Sequence, residues 1–77
     1  MPSSNWKVVV KGMLHRRVTD NYIGEVKWLM DAGWCGSIFE VGAKVIVVYK
    51  CNFATWQAAR QAVDADMITL NTKKYLK

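Results

Sequence analysis

The chain has little with which to do chemistry. Its 77 residues hold one histidine and two cysteines, and no G-x-G-x-x-G, P-loop or C-x-x-C pattern occurs. The single His15 stands beside Arg16 and Arg17, whose like charge lowers its pKa instead of partnering it as a catalytic triad would. Asp64-Ala-Asp66 could pair on a metal, but at a helix end two carboxylates read as a solvated terminus. Cys35, Cys51 and a distant His15 are too few ligands for a metal site. No enzyme activity, cofactor or small-molecule substrate is expected. Met1-Pro2-Ser3-Ser4-Asn5 is followed by no apolar signal segment, and no apolar run reaches membrane-spanning length. A cytoplasmic location without membrane association is the expectation. Two thiols in a reducing compartment are the expected state of the cysteines, a disulfide the alternative. Repeats, linkers and low-complexity segments are absent, so residues 1–77 read as one domain with a flexible arm at 1–5 and a basic tail at 73–77.

What is present is apolar surface and positive charge. Hydrophobic residues make up 52% of the chain, enough for a core, although a domain this small buries only about 60–65% of its unfolded surface. Eleven Lys and Arg against six acids give +5 and a pI near 9.5, which favours acidic partners.

The organising stretch is Ser37–Cys51, SIFEVGAKVIVVYKC, which reads as a β-hairpin turning at Gly42-Ala43. A two-residue loop sets Phe39 opposite Ile46 and Ile38 opposite Val47. One sheet face then carries Phe39, Val41, Lys44, Ile46, Val48 and Lys50, and the other carries Ile38, Val45, Val47, Tyr49 and Cys51. A three-residue loop would turn Phe39 and Val41 over.

Upstream, Trp6–Leu14 reads as a strand with Lys7, Val9 and Lys11 on one face and Trp6, Val8 and Val10 on the other. His15-Arg16-Arg17 reads as a basic connector. Thr19 or Asp20 caps a helix in which Ile23, Val26 and Met30 recur at helical spacing, ended by Gly33 with Trp34 after it. Downstream, Asn52 or Thr55 caps a second helix to about Asp66, with Trp56, Ala59, Val63 and Met67 as its stripe, and Met67–Thr72 reads as a last strand.

This order, β-α-β-β-α-β, is that of the ferredoxin-like split βαβ fold: a four-stranded antiparallel sheet with two helices on one face. In that topology the first and third strands are central, and their lysine-bearing sides lie together on the open face. A partner-binding surface of Lys7, Val9, Lys11, Phe39, Lys44, Ile46, Val48 and Lys50 is therefore expected, apolar at its centre and rimmed by lysine. An anion site is expected where Arg16, Arg17, Lys11 and Lys44 converge with His15. The cluster of Trp6, Trp34, Phe53 and Trp56 near the cysteines is expected to close the base of the core.

The expected function is a non-catalytic module that docks an acidic protein, in the manner of small inhibitor or accessory proteins of phages and mobile elements. Face-to-face homodimerisation is its simplest variant, and cover by a loop or the tail would leave no site at all. Nucleic-acid binding through the same basic face and the His15-Arg16-Arg17 segment is the alternative. The basic-Gly-aromatic-Gly-aromatic motif of RNA-recognition domains is missing, which weakens that mode specifically.

Overall fold

A computed structural model describes residues 6–43 and 45–75, the last three of these by backbone alone. Lys44, the 1–5 arm and the end of the 73–77 tail lie outside that description. Among the described residues five strands precede one helix: β1 (Lys7–Val10), β2 (Leu14–Val18), β3 (Tyr22–Leu29), β4 (Gly33–Glu40), β5 (Ile46–Phe53) and α1 (Trp56–Tyr75). The strands form an antiparallel meander in chain order, so β1 and β5 are its edges. The architecture is thus β-β-β-β-β-α. It replaces the expected ferredoxin-like arrangement of four strands and two helices.

Each departure has a physical origin. The Trp6–Leu14 run does not cross the sheet as one strand. Gly12, at φ 77°, turns it back, and Met13 N–H donates to Val10 O. His15-Arg16-Arg17, expected as a connector, becomes the middle of β2.

The supposed first helix is β3. Its sequence YIGEVKWL also alternates with period two, and Tyr22, Gly24 and Val26 are buried while Ile23, Glu25 and Lys27 point the other way. Ile23, Val26 and Met30 fit a helix only by coincidence of spacing. The cap signal at Thr19 belongs to a turn, with Thr19 Oγ1 donating to Tyr22 O and accepting from Tyr22 N–H. The Gly33 signal is real as well, because Gly33 sits at φ 71°. That conformation ends a helix or closes a three-residue hairpin equally well.

The one helix starts as expected: Thr55 Oγ1 accepts the Ala58 N–H at 3.1 Å. It then runs on through Met67–Thr72, because Leu70 prolongs the stripe of Ala59, Val63 and Met67. No final strand forms there.

The core lies between α1 and the sheet. Tyr22, Val26, Ile38, Ala59, Val63 and Met67 make its centre, flanked by Trp6, Trp34, Val48, Phe53, Trp56 and Leu70. The helix packs over β3, β4 and β5 and does not cover β1 or β2. The opposite face of the sheet carries no second layer among the described residues. Among those residues, no helix is long and apolar enough to cross a membrane.

Candidate functional site

The β4–β5 hairpin decides which residues share the uncovered face. Phe39 does pair with Ile46, but Ile38 pairs with Val48 and not with Val47. The extra residue is a bulge at Val47, and it inverts the facing of all that follows in β5. Val48 turns under the helix, and Lys50 reaches Asp66 of α1 at 3.0 Å. Tyr49 turns outward instead, opposite Ser37. A second bulge near Asn52, at φ 70°, restores the helix-side facing of Phe53.

The expected docking surface is therefore divided. Lys7, Val9, Phe39 and Ile46 share the open face, whereas Val48 and Lys50 lie on the helix side. Lys11 stands in the β1–β2 turn, and Lys44 lies outside the described residues. The anion site is not assembled either. Arg16 and Arg17 point to opposite faces of β2, as their partners on β3, Glu25 and Gly24, require. Arg16 Nε donates to Glu25 Oε2 at 2.8 Å on the open side, and Arg17 pairs with Asp64 of the helix.

What the open face does hold is a continuous set from all five strands. Lys7 and Val9 come from β1, Arg16 and Val18 from β2, and Ile23, Glu25 and Lys27 from β3. Phe39 of β4 and Ile46 and Tyr49 of β5 complete it. Lys7, Val9, Arg16 and Val18 line a cleft of about 480 Å³ at one side. A second depression, about 180 Å³, is lined by Leu29, Phe39, Ile46 and Tyr49 among others. Val18, Ile46 and Tyr49 are each more than half exposed, at 62%, 53% and 59%. Among the described residues, three cations on this face, Lys7, Arg16 and Lys27, meet a single carboxylate, Glu25, which Arg16 already engages.

Cys35 and Cys51 also meet on this face, joined as a disulfide with Cα atoms 4.0 Å apart. Free thiols were expected, with side chains tending to opposite faces. The extra residue at Val47 rotates Cys51 to the side of Cys35 and makes the bond geometrically accessible. Among the described residues no free cysteine remains, and no group of His, Cys, Asp and Glu could hold a metal.

The tryptophans close one part of the core, around a residue expected in a basic connector. His15 is buried at 3% exposure between Trp34 and Trp56, with ring centroids 5.6 and 5.1 Å away. Its Nδ1 accepts from Arg60 Nε at 3.1 Å, so the proton of the neutral ring sits on Nε2. Arg60 in turn lies 4.4 Å from the Trp56 ring and 5.4 Å from that of Trp6. Trp6 Nε1 donates to Asp64 at 3.1 Å. Both neighbours of the Trp56 ring are thus internal to the protein. The signal in the sequence was the i, i+4 pair Arg60 and Asp64 on the helix face beside the Trp56 stripe. It pointed inward only once β2 was a strand.

Burial, and then the Arg60 charge, lower the His15 pKa below 6.5. The folded state prefers the neutral ring, so this contribution to stability is complete above about pH 6.5 and is lost as pH falls through the folded pKa. Urea midpoints at about pH 7.5 and about pH 5 should therefore differ more for the natural chain than for His15→Phe. Equal pH dependence in both would show that the ring is not held neutral.

No protein-family model, curated protein or solved structure matches this chain.

Proposed function

We propose that this chain is a small non-catalytic binding module that docks an acidic protein partner through the open face of its sheet. One observation carries the reading. Among the described residues, a sheet face without a covering layer presents exposed Val9, Val18, Ile46 and Tyr49 among Lys7, Arg16 and Lys27, with Glu25 as the one acid. Exposed apolar surface of this extent costs a small domain core it could otherwise use, and such patches mark contacts. The surplus positive charge would orient an acidic partner and speed encounter. Obstruction of a larger machine, as by inhibitor or accessory proteins of mobile elements, is the form of activity that best suits a binding face without catalytic groups.

The edges of the sheet support the face over the edge as the contact. β1 and β5 both carry bulges, a device that interrupts the strand ladder against pairing with another chain.

Affinity capture from the native cell should recover one dominant acidic protein. Ile46→Asp or Lys27→Glu should remove it, while Ile68→Asp on the outer side of the helix should not. Recovery unchanged by both open-face substitutions, in variants with natural circular dichroism, would rule the face out.

Tyr49 favours a second reading, single-stranded nucleic acid, because it turns outward beside Phe39 where bases could stack. Its weakness is that β3, the central strand, offers only Ile23, Glu25, Lys27 and Leu29 on that side. A gel shift at low salt that fades as salt rises would favour this reading over the first.

A further inference from the structure

The edge strand β1 and the turn after it differ from the rest of the sheet in that neither of their faces is covered, whereas β2 is open on one side only, its His15 being buried against Trp34 and Trp56 on the other. The helix stops at β3, and only side chains bridge from it to β2, through Arg17–Asp64 and His15–Arg60. On the open side Val9 and Val18 are exposed. On the helix side Val8 is exposed at 55% and borders a groove of about 320 Å³ with Lys11, His15, Trp56 and Arg60. Met13 at the turn is exposed as well. Aliphatic side chains wet on both faces of an edge strand and its turn are not explained by a flat contact on one face.

The charge of this segment is of one sign. Residues 7–18, KVVVKGMLHRRV, contain four Lys and Arg and no acid. Arg16 and Arg17 are engaged by Glu25 and Asp64, and Lys7 and Lys11 form no ion pair among the described residues. From these observations, and resting on the reading above that the partner is a protein, we infer that β1 and the turn after it form an insertion arm. A cleft in the acidic partner grips it on both faces, with valines and Met13 buried and Lys7 and Lys11 meeting carboxylates at the cleft rim. A protein cleft fits better than nucleic acid, because positions 7–14 and 16–18 hold no aromatic residue and the ring of His15 is buried. Bases would find no ring on β1 or its turn to stack against, and the Trp56 ring in the adjoining groove is already engaged by His15 and Arg60.

The test titrates the isotope-labelled full chain with an acidic glutamate–tyrosine copolymer and, separately, with single- and double-stranded oligonucleotides, following valine and methionine methyl resonances. The inference expects the copolymer to shift Val8 and Val9 together with Met13. It expects Lys7→Glu/Lys11→Glu, checked as folded by its own spectrum, to weaken binding about tenfold or more. Shifts of Val9 without Val8 would overturn the two-faced grip. Shifts confined to Ile46, Phe39 and Tyr49 would overturn the arm while leaving the docking face standing. No response anywhere to the copolymer would overturn both. Stronger response to oligonucleotides would transfer the arm to nucleic acid and overturn the inference.

Discussion

Alanine at both Gly24 and Gly36 should cost this protein much of its stability. The two glycines lie on the helix side of adjacent strands, and Val63 sits down between them. A Cβ at Gly24 would stand 2.7 Å from Val63 Cγ1 and 3.0 Å from Met67 Sδ, and one at Gly36 would stand 2.6 Å from Val63 Cγ2. Valine is stiff at χ1, and relieving one methyl drives the other toward the second strand. Helix and sheet must therefore separate. Overpacking of this kind costs about 1–3 kcal/mol per site. A chain of this length is stable by roughly 4–11 kcal/mol in all. The diagnostic variant is the triple one. Val63→Ala alone should cost about 2 kcal/mol through the cavity it leaves. Added to Gly24→Ala/Gly36→Ala it should restore stability, because the clashing methyls are gone. Denaturant midpoints of the four proteins settle it, and strictly additive losses would mean that the helix does not rest on these glycines.

Removal of the Cys35–Cys51 disulfide is the second large effect. The bond closes a loop with a sequence separation of 16. Chain-entropy arguments give about 3 kcal/mol for such a loop. In a domain of this size that is roughly 10–25 °C in melting temperature. The cost falls on β5, an edge strand held by a ladder that two bulges interrupt. Dithiothreitol on the natural chain, and Cys35→Ala/Cys51→Ala without it, should lower the melting temperature alike. Hydrogen exchange should quicken at Ile46–Phe53 first. An unchanged melting temperature after confirmed reduction would contradict the proposed brace.

How much of this was legible in the sequence depends on where a single residue mattered. Phe39 opposite Ile46 followed from hairpin geometry, and the stripe of Ala59, Val63 and Met67 followed from helical spacing. The bulge at Val47 did not, since no glycine marks it, and it alone moved Val48 and Lys50 to the helix side and Tyr49 and Cys51 to the open one. Asn52, tolerant of positive φ, is the visible trace of the second bulge, although an Asn shortly before Trp56 suits a helix cap equally well. Tyr22–Leu29 satisfied periods of two and 3.6 together. Only the burial of Gly24, pointless on an exposed helix surface and needed beneath Val63, separates the two. Thr19 and Gly33 marked real turns, and the sequence could not say whether a helix or a hairpin lay between them.

The account rests on a sheet that, among the described residues, is covered on one side by one helix and bare on the other, with β1 at an edge the helix does not reach. Paramagnetic relaxation by a soluble gadolinium chelate, read at each side chain of the dilute protein, addresses that claim most directly. Val8, Val9, Val18, Ile46 and Tyr49 should relax strongly, Val48 less, and Val26, Ile38, Val63 and Met67 hardly at all. Protection of Val9, Val18 and Ile46 to the level of Ile38 would mean that something covers the face, and the proposed contact surface would be lost.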